Sequence, residues 1–158
     1  MNPTLVLLIV GAVLTVVGYA VSLTRKGRVA DGHAGQVPLT ATVPVGPVAA
    51  FERARDGVGS PFRVDDAGFD QLAVAFSSNP TFFGWGFLYH ATFTPQAGGG
   101  TVIAVSARSR FIAPFPAIRD WHLRRCLRAI EAAAVRPLVF PPAVPARRVS
   151  AAALPAQA

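Results

Sequence analysis

The first apolar pattern along the chain has no period. Leu5 to Leu23 runs for 19 residues without a charge, and 12 of them are Leu, Ile or Val. At 1.5 Å per residue this is a helix of about 28 Å, close to the roughly 30 Å hydrocarbon core of a bilayer. After it the periods change. Thr40 to Val45 alternates, with Ala41, Val43 and Val45 on one side and Pro44 marking a strand end or edge. Pro47 suits a first helical turn, and Val48, Phe51, Ala54 and Val58 give a helical stripe that Gly57 and Gly59 close.

Strand patterns follow. Phe62 and Val64 flank Arg63, and Asp65-Asp66 with Gly68 predicts a turn. Leu72, Val74 and Phe76 then alternate with Ala73, Ala75 and Ser77. Asn79-Pro80 punctuates the chain. Trp85, Phe87, Tyr89, Ala91 and Phe93 share one strand face, with Gly86, Leu88, His90, Thr92 and Thr94 on the other. A short Gly-rich loop leads into a β-branched strand from Thr101 to Arg110, which predicts a hairpin. Past Pro114 and Pro116 a helix runs to about Ala134. Leu123, Cys126, Leu127, Ile130 and Ala134 form its apolar side, and Trp121, Arg124, Arg125 and Arg128 the other.

These elements predict an α+β chain of four parts. Residues 1–24 form a transmembrane helix and 25–39 a basic, flexible linker. Residues 40–135 form a small antiparallel sheet (order β-α-β-β-β-β-α) packed by a C-terminal helix. Residues 136–158 are a disordered tail rich in Pro and Ala. Over residues 40–134 this element order resembles the helix-grip domains, in which a long C-terminal helix lies across an antiparallel sheet. The resemblance implies an apolar ligand held between helix and sheet, and it carries over no binding residue.

Composition sharpens the first segment. Charged residues are only 15% of the chain and hydrophobic residues 52%, unlike an ordinary soluble domain. The cluster Arg25, Lys26, Arg28 follows the apolar run, so the positive-inside rule predicts an outside N-terminus and a cytoplasmic domain. Arg in place of Lys almost throughout, with abundant Ala, Gly and Pro, suggests a bacterial chain, hence the bacterial plasma membrane. Ala20-Val21-Ser22 also fits a small-residue cleavage site, which keeps a secretory leader as the rival reading. Gly11, Thr15, Gly18 and Ser22 share one face of the span. Small residues there let a second helix approach, so the predicted partners are membrane lipid and either another membrane protein or a second copy of the chain.

Candidate chemistry is sparse. His33 falls in the linker and reads as solvated, His90 as a surface or groove residue, and His122 as a residue of the last helix. None has a second metal ligand at useful spacing. Cys126 lies on the apolar stripe, where a buried thiol is inert. Asp65, Asp66 and Asp70 read as turn residues. Gly98-Gly99-Gly100 precedes a strand rather than a helix and has no Lys beside it, which is not a phosphate loop. The expectation is therefore no catalytic residue, no cofactor and no metal. From Arg108 onward nine arginines face only Asp120 and Glu131, so this part carries the whole formal net charge of +7. Its Trp121, Arg124, Arg125 and Arg128 make a basic interaction face suited to anionic lipid or an acidic partner, with nucleic acid excluded for want of a binding motif.

Two readings emerge. One is a single-pass, non-enzymatic scaffolding protein or accessory subunit acting through protein–protein interaction. The other is a helix-grip-like carrier of a lipid or other apolar ligand, for which Trp85, Phe87, Tyr89, Phe93, Phe82, Phe83, Phe111 and Phe115 supply the aromatic surface.

Overall fold

The computed structural model describes residues 2–33, 36–80, 86–110 and 116–136. Phe82, Phe83, Gly84, Trp85, Phe111 and Phe115, the tail from residue 137 onward and the side chain of Ser22 lie outside the described residues. Helix α1 (Pro3–Thr24) begins with the Asn2 side chain accepting from the Thr4 amide at 3.1 Å. Nearly all its side chains point away from the rest of the molecule, with only 6% of the apolar stretch buried. Length and composition suffice for this helix to cross a membrane.

Strands β1 (Leu39–Val43), β2 (Phe62–Gly68), β3 (Ala73–Ser78), β4 (Phe87–Pro95) and β5 (Thr101–Ser109) form one antiparallel sheet in the order β1-β5-β4-β3-β2. Helix α2 (Pro47–Gly57) connects β1 to β2, and α3 (Pro116–Val135) follows β5. The β4–β5 hairpin pairs Phe87 with Ser109 at one end and Pro95 with Thr101 at the other. Gly100 closes that second end at φ +91, and a Cβ there would meet the Val43 carbonyl at 2.6 Å. Only glycine fits this turn. The Gly98-Gly99-Gly100 run is therefore a hairpin connection.

Register decides the two faces. Val74, Phe76, Phe87, Tyr89, Ala91, Phe93, Ile103, Val105 and Ala107 point to the side where α2 and α3 lie. There they meet Phe51 and Ala54 of α2 and Leu123, Cys126, Leu127, Ile130, Ala133 and Ala134 of α3. The expected apolar stripe of α3 is thus its core face. The fold is therefore α+β, with a long last helix lying against one face of a five-stranded antiparallel sheet.

Three local expectations are corrected. The stripe of α2 uses Ala50, Phe51 and Ala54, whereas Val48 is 54% exposed. Asp65 and Asp66 do not turn the chain: β2 continues through them to Gly68, with a bulge between Val64 and Asp66. The turn is displaced to residues 69–72, where Leu72 takes φ +44 and Asp70 stays exposed. The third concerns β3, which is buried on both sides. Alternating strands of this kind normally leave one face in water, so something covers the outer face.

Ile130 is wholly buried at the α3–sheet contact. Ile130→Ala is expected to lower unfolding free energy by about 2–5 kcal/mol, the usual range for emptying such a site, read by chemical denaturation of the detergent-solubilised chain.

Candidate functional site

The cover is the segment expected to be a flexible linker. Residues 25–33 lie as a strap across the outer face. The Gly27 amide donates to Asp65 Oδ2 at 2.8 Å, and the Val29 amide donates to Asp66 Oδ2 at 2.9 Å. Val29 packs on Ala73 and Ala75, and a short 3-10 turn, Val29–Asp31, follows. The Asp65 side chain is fully buried. Its Oδ1 also takes the Ser77 hydroxyl at 2.9 Å and the Arg63 guanidinium at 3.1 Å. A buried carboxylate is tolerated only with such partners. This is the physical reason Asp65 and Asp66 sit in a strand: their acceptors satisfy backbone donors of the strap instead of a turn.

The strap also overturns the reading of His33 as solvated. Its Nδ1 lies 3.0 Å from the Ser106 hydroxyl and its Nε2 3.4 Å from that of Thr92. The ring meets His90 edge-on, with centroids 4.8 Å apart. His90 is 8% exposed. Its Nε2 lies 3.1 Å from the Val29 carbonyl, which can only accept, so Nε2 carries the proton. Asp31 pairs with Arg108 at the rim. Burial holds the His33 pKa below the ordinary imidazole value. Burial, then the neighbouring His33, does the same for His90. A histidine 3.0 Å from a serine hydroxyl is the contact a nucleophile makes with its base. Here the adjoining cavity is about 20 Å³, enough for a water and too small for a substrate. The cluster locks the strap.

The opposite side holds the aromatic end of the core. Tyr89 stands 5.4 Å from Phe62 and 6.1 Å from Phe87, and Phe87 stands 4.5 Å from His122 at the start of α3. Trp121 meets His122 edge-on at 4.7 Å. Burial pushes the Tyr89 phenol up and the His122 imidazole down, the latter helped by Arg125. Cys126 is fully buried, and that burial pushes its thiol up. The basic side of α3 is exposed as expected for Arg124, Arg125 and Arg128. Trp121 is 57% exposed, with the Arg125 guanidinium carbon 5.5 Å from its ring centroid.

The strap ties α1 to this same end of the sheet. Arg25, the first residue past α1, donates from its guanidinium to the Arg110 carbonyl, and the Arg110 amide donates to the Gly86 carbonyl at 3.1 Å. Phe87 follows Gly86 directly. Sequence reasoning missed the strap because all its partners lie far along the chain, and two of its anchors are backbone amides, which carry no side-chain signature. The one legible hint was a pair of aspartates in an otherwise regular strand pattern. Gly11, Thr15 and Gly18 share a face of α1, where the Thr15 hydroxyl donates to the Gly11 carbonyl at 2.8 Å. Among the described residues no three His, Cys, Asp or Glu side chains gather as a metal site.

No protein-family model matches the chain, and no curated protein matches its sequence. Solved structures with a similar path include that of Ara h 8.0201, at 15% identity and a TM-score of 0.48, covering 61% of this chain and 92% of that one. Another is the di-domain ARO/CYC StfQ from the steffimycin biosynthetic pathway, at 13% identity and a TM-score of 0.49, covering 63% of this chain and 45% of that one. A third is TTHA0849 from Thermus thermophilus, at 12% identity and a TM-score of 0.36, covering 62% of this chain and 95% of that one.

Two outcomes follow from the strap. Asp65→Ala with Asp66→Ala removes acceptors of charge-assisted bonds, each contributing about 1.5–3 kcal/mol. The double variant is expected to exchange the Gly27 and Val29 amides much faster, while amides of β4 keep most of their protection. The two imidazoles also make stability depend on pH. Both bind a proton less readily in the fold than in the unfolded chain, where an imidazole titrates near about 6.5. The unfolded state then binds more protons, so stability is full above that pH and falls as pH drops through it toward the depressed native values. The thermal midpoint should fall between about pH 7 and about pH 5. With His33→Gln and His90→Asn together, only the His122 share of that slope should remain.

Proposed function

We propose that this chain is a single-pass membrane protein whose juxtamembrane domain binds a lipid or other apolar ligand between the start of α3 and the sheet, without catalysing a reaction on it. The observation that carries the reading is the shared end: the strap fastens the exit of α1 beside the sheet end that holds Phe62, Phe87, Tyr89 and His122. A helix apolar on all sides belongs in a protein core or a bilayer, and only 6% of the apolar stretch of α1 is buried among the described residues. With α1 in the membrane, Arg25, Lys26 and Arg28 favour a cytoplasmic domain. The aromatic end then faces the lipid surface, and an apolar molecule leaving the bilayer meets it without crossing water.

A second reading has its own support. Trp121 lies exposed among Arg124, Arg125 and Arg128, the kind of aromatic–arginine patch that anchors interfaces. Together with the small-residue face of α1 it suits a scaffold or accessory subunit that docks on another membrane protein.

Native mass spectrometry of the full chain released from mild detergent separates the two. The carrier reading expects one apolar molecule of a few hundred daltons retained per chain. It also expects a fluorescent fatty acid to bind the delipidated protein and to bind the His122→Trp variant more weakly. Folded protein that retains no such molecule and takes up no fatty acid would sink the carrier. A stable protein partner lost on Trp121→Ala would favour the scaffold.

A further inference from the structure

The end of α1 holds another cavity, which shares Leu88 and Arg108 with the small space beside the strap. It has a volume of about 190 Å³ and is lined by Arg25, Lys26, Leu88, Arg108 and Ser109. Three of these side chains are cationic, one offers a hydroxyl and one is apolar. Among the described residues no carboxylate lines it, while Arg25 and Lys26 also border an adjoining space of about 650 Å³ with Asp31, Asp65 and Asp66. Like charges converging on one space repel, and an anion placed among them reverses the sign of that interaction.

We propose that this cavity binds the phosphate group of an anionic phospholipid. Arg25 and Lys26 follow Thr24, the last residue of α1, so in a spanning helix they stand where hydrocarbon gives way to headgroups. Arg108 and Ser109 are brought to the same place from β5, 82 or more positions further along the sequence. Each carboxylate nearby already has a partner, and for Asp31 that partner is the cavity's own Arg108. Asp65 and Asp66 accept the strap amides of Gly27 and Val29, and Asp31 pairs with Arg108 at the rim, where both side chains are partly exposed. A phosphate competes with Asp31 for a guanidinium whose fork matches its oxygens. Lys26 forms no hydrogen bond or ion pair with the described residues and adds a point charge. Leu88 gives the glycerol side of the lipid an apolar wall. Phosphate is common to lipid headgroups and to the free ion; the seat at the end of α1 selects the lipid. This inference rests on α1 as the membrane span and not on the apolar site beside α3.

The test titrates the full chain in neutral detergent with dioctanoyl phosphatidylglycerol, dioctanoyl phosphatidylcholine or inorganic phosphate, reading the thermal midpoint. Saturable stabilisation by the glycerol lipid, with little from the choline lipid, is expected. Lys26→Gln and Arg108→Gln should each weaken it about fivefold, the equivalent of one cation at a lipid surface. Asp31→Asn should tighten it, even where it lowers the midpoint of the unliganded chain, which loss of a merely structural ion pair would not do. Equal stabilisation by the choline lipid, or no change in the Lys26 and Arg108 variants, would overturn the proposal. Inorganic phosphate matching the glycerol lipid would overturn the lipid as the source. His122→Trp should leave the titration unchanged, so failure of the apolar site is told apart from failure here. Resistance of the chain to carbonate extraction from membranes tests the span separately.

Discussion

The carboxylates of Asp65 and Asp66 hold the molecule together at its least expected point. Each accepts a backbone amide from the strap that follows the apolar helix, and one of them does so while fully buried. Remove those acceptors and the outer face of β3 and β4 loses its cover. The tie between α1 and the sheet then depends on Arg25, on the Asp31–Arg108 pair and on the histidine contacts. The site readings depend on this contact, because it decides which end of the domain lies next to α1.

The sheet is consequently two-sided, for different reasons on each side. Toward α2 and α3 the burial is apolar and extensive, led by Phe51, Phe76, Tyr89, Phe93 and Ile130, and it is stabilised mainly by removing that surface from water. Toward the strap the burial is thin and polar. Val29, Ala73 and Ala75 provide a small apolar patch, while His33 bonds to Ser106 and Thr92, His90 to the Val29 carbonyl, and Asp65 accepts from Ser77. Such a layer is geometrically demanding, since each unpaired group left behind costs more than a formed bond contributes. It suits a clasp that fixes direction. The thick layer supplies stability and the thin layer supplies orientation.

Direction is what gives the surface groups a shared context. Trp121 with its arginines, the rings around Phe87, and the cationic pocket of Arg25, Lys26 and Arg108 come from α3, β4 and the α1–β5 junction. The rings and the pocket meet at the end of the sheet from which α1 leaves.

Much was legible in the order of residues, because it depends on neighbours a few positions apart. The uncharged run from Leu5 to Leu23, the period-two strands of the hairpin and the 4-3-4 stripe of α3 each specify an element and its buried side. The element order then specified the α+β class and the helix lying on the sheet. Three things were decided only by packing across long sequence separations. Asp65 and Asp66 became strand residues because amides about 37 positions earlier needed acceptors. His33 became half-buried because Ser106, 73 positions away, faced it. The cationic pocket formed because the last residues of β5 met the first residues after α1. Local periodicity encodes which side of an element is apolar. It does not encode which backbone donors a distant carboxylate will meet, since an amide looks the same at every position of a chain.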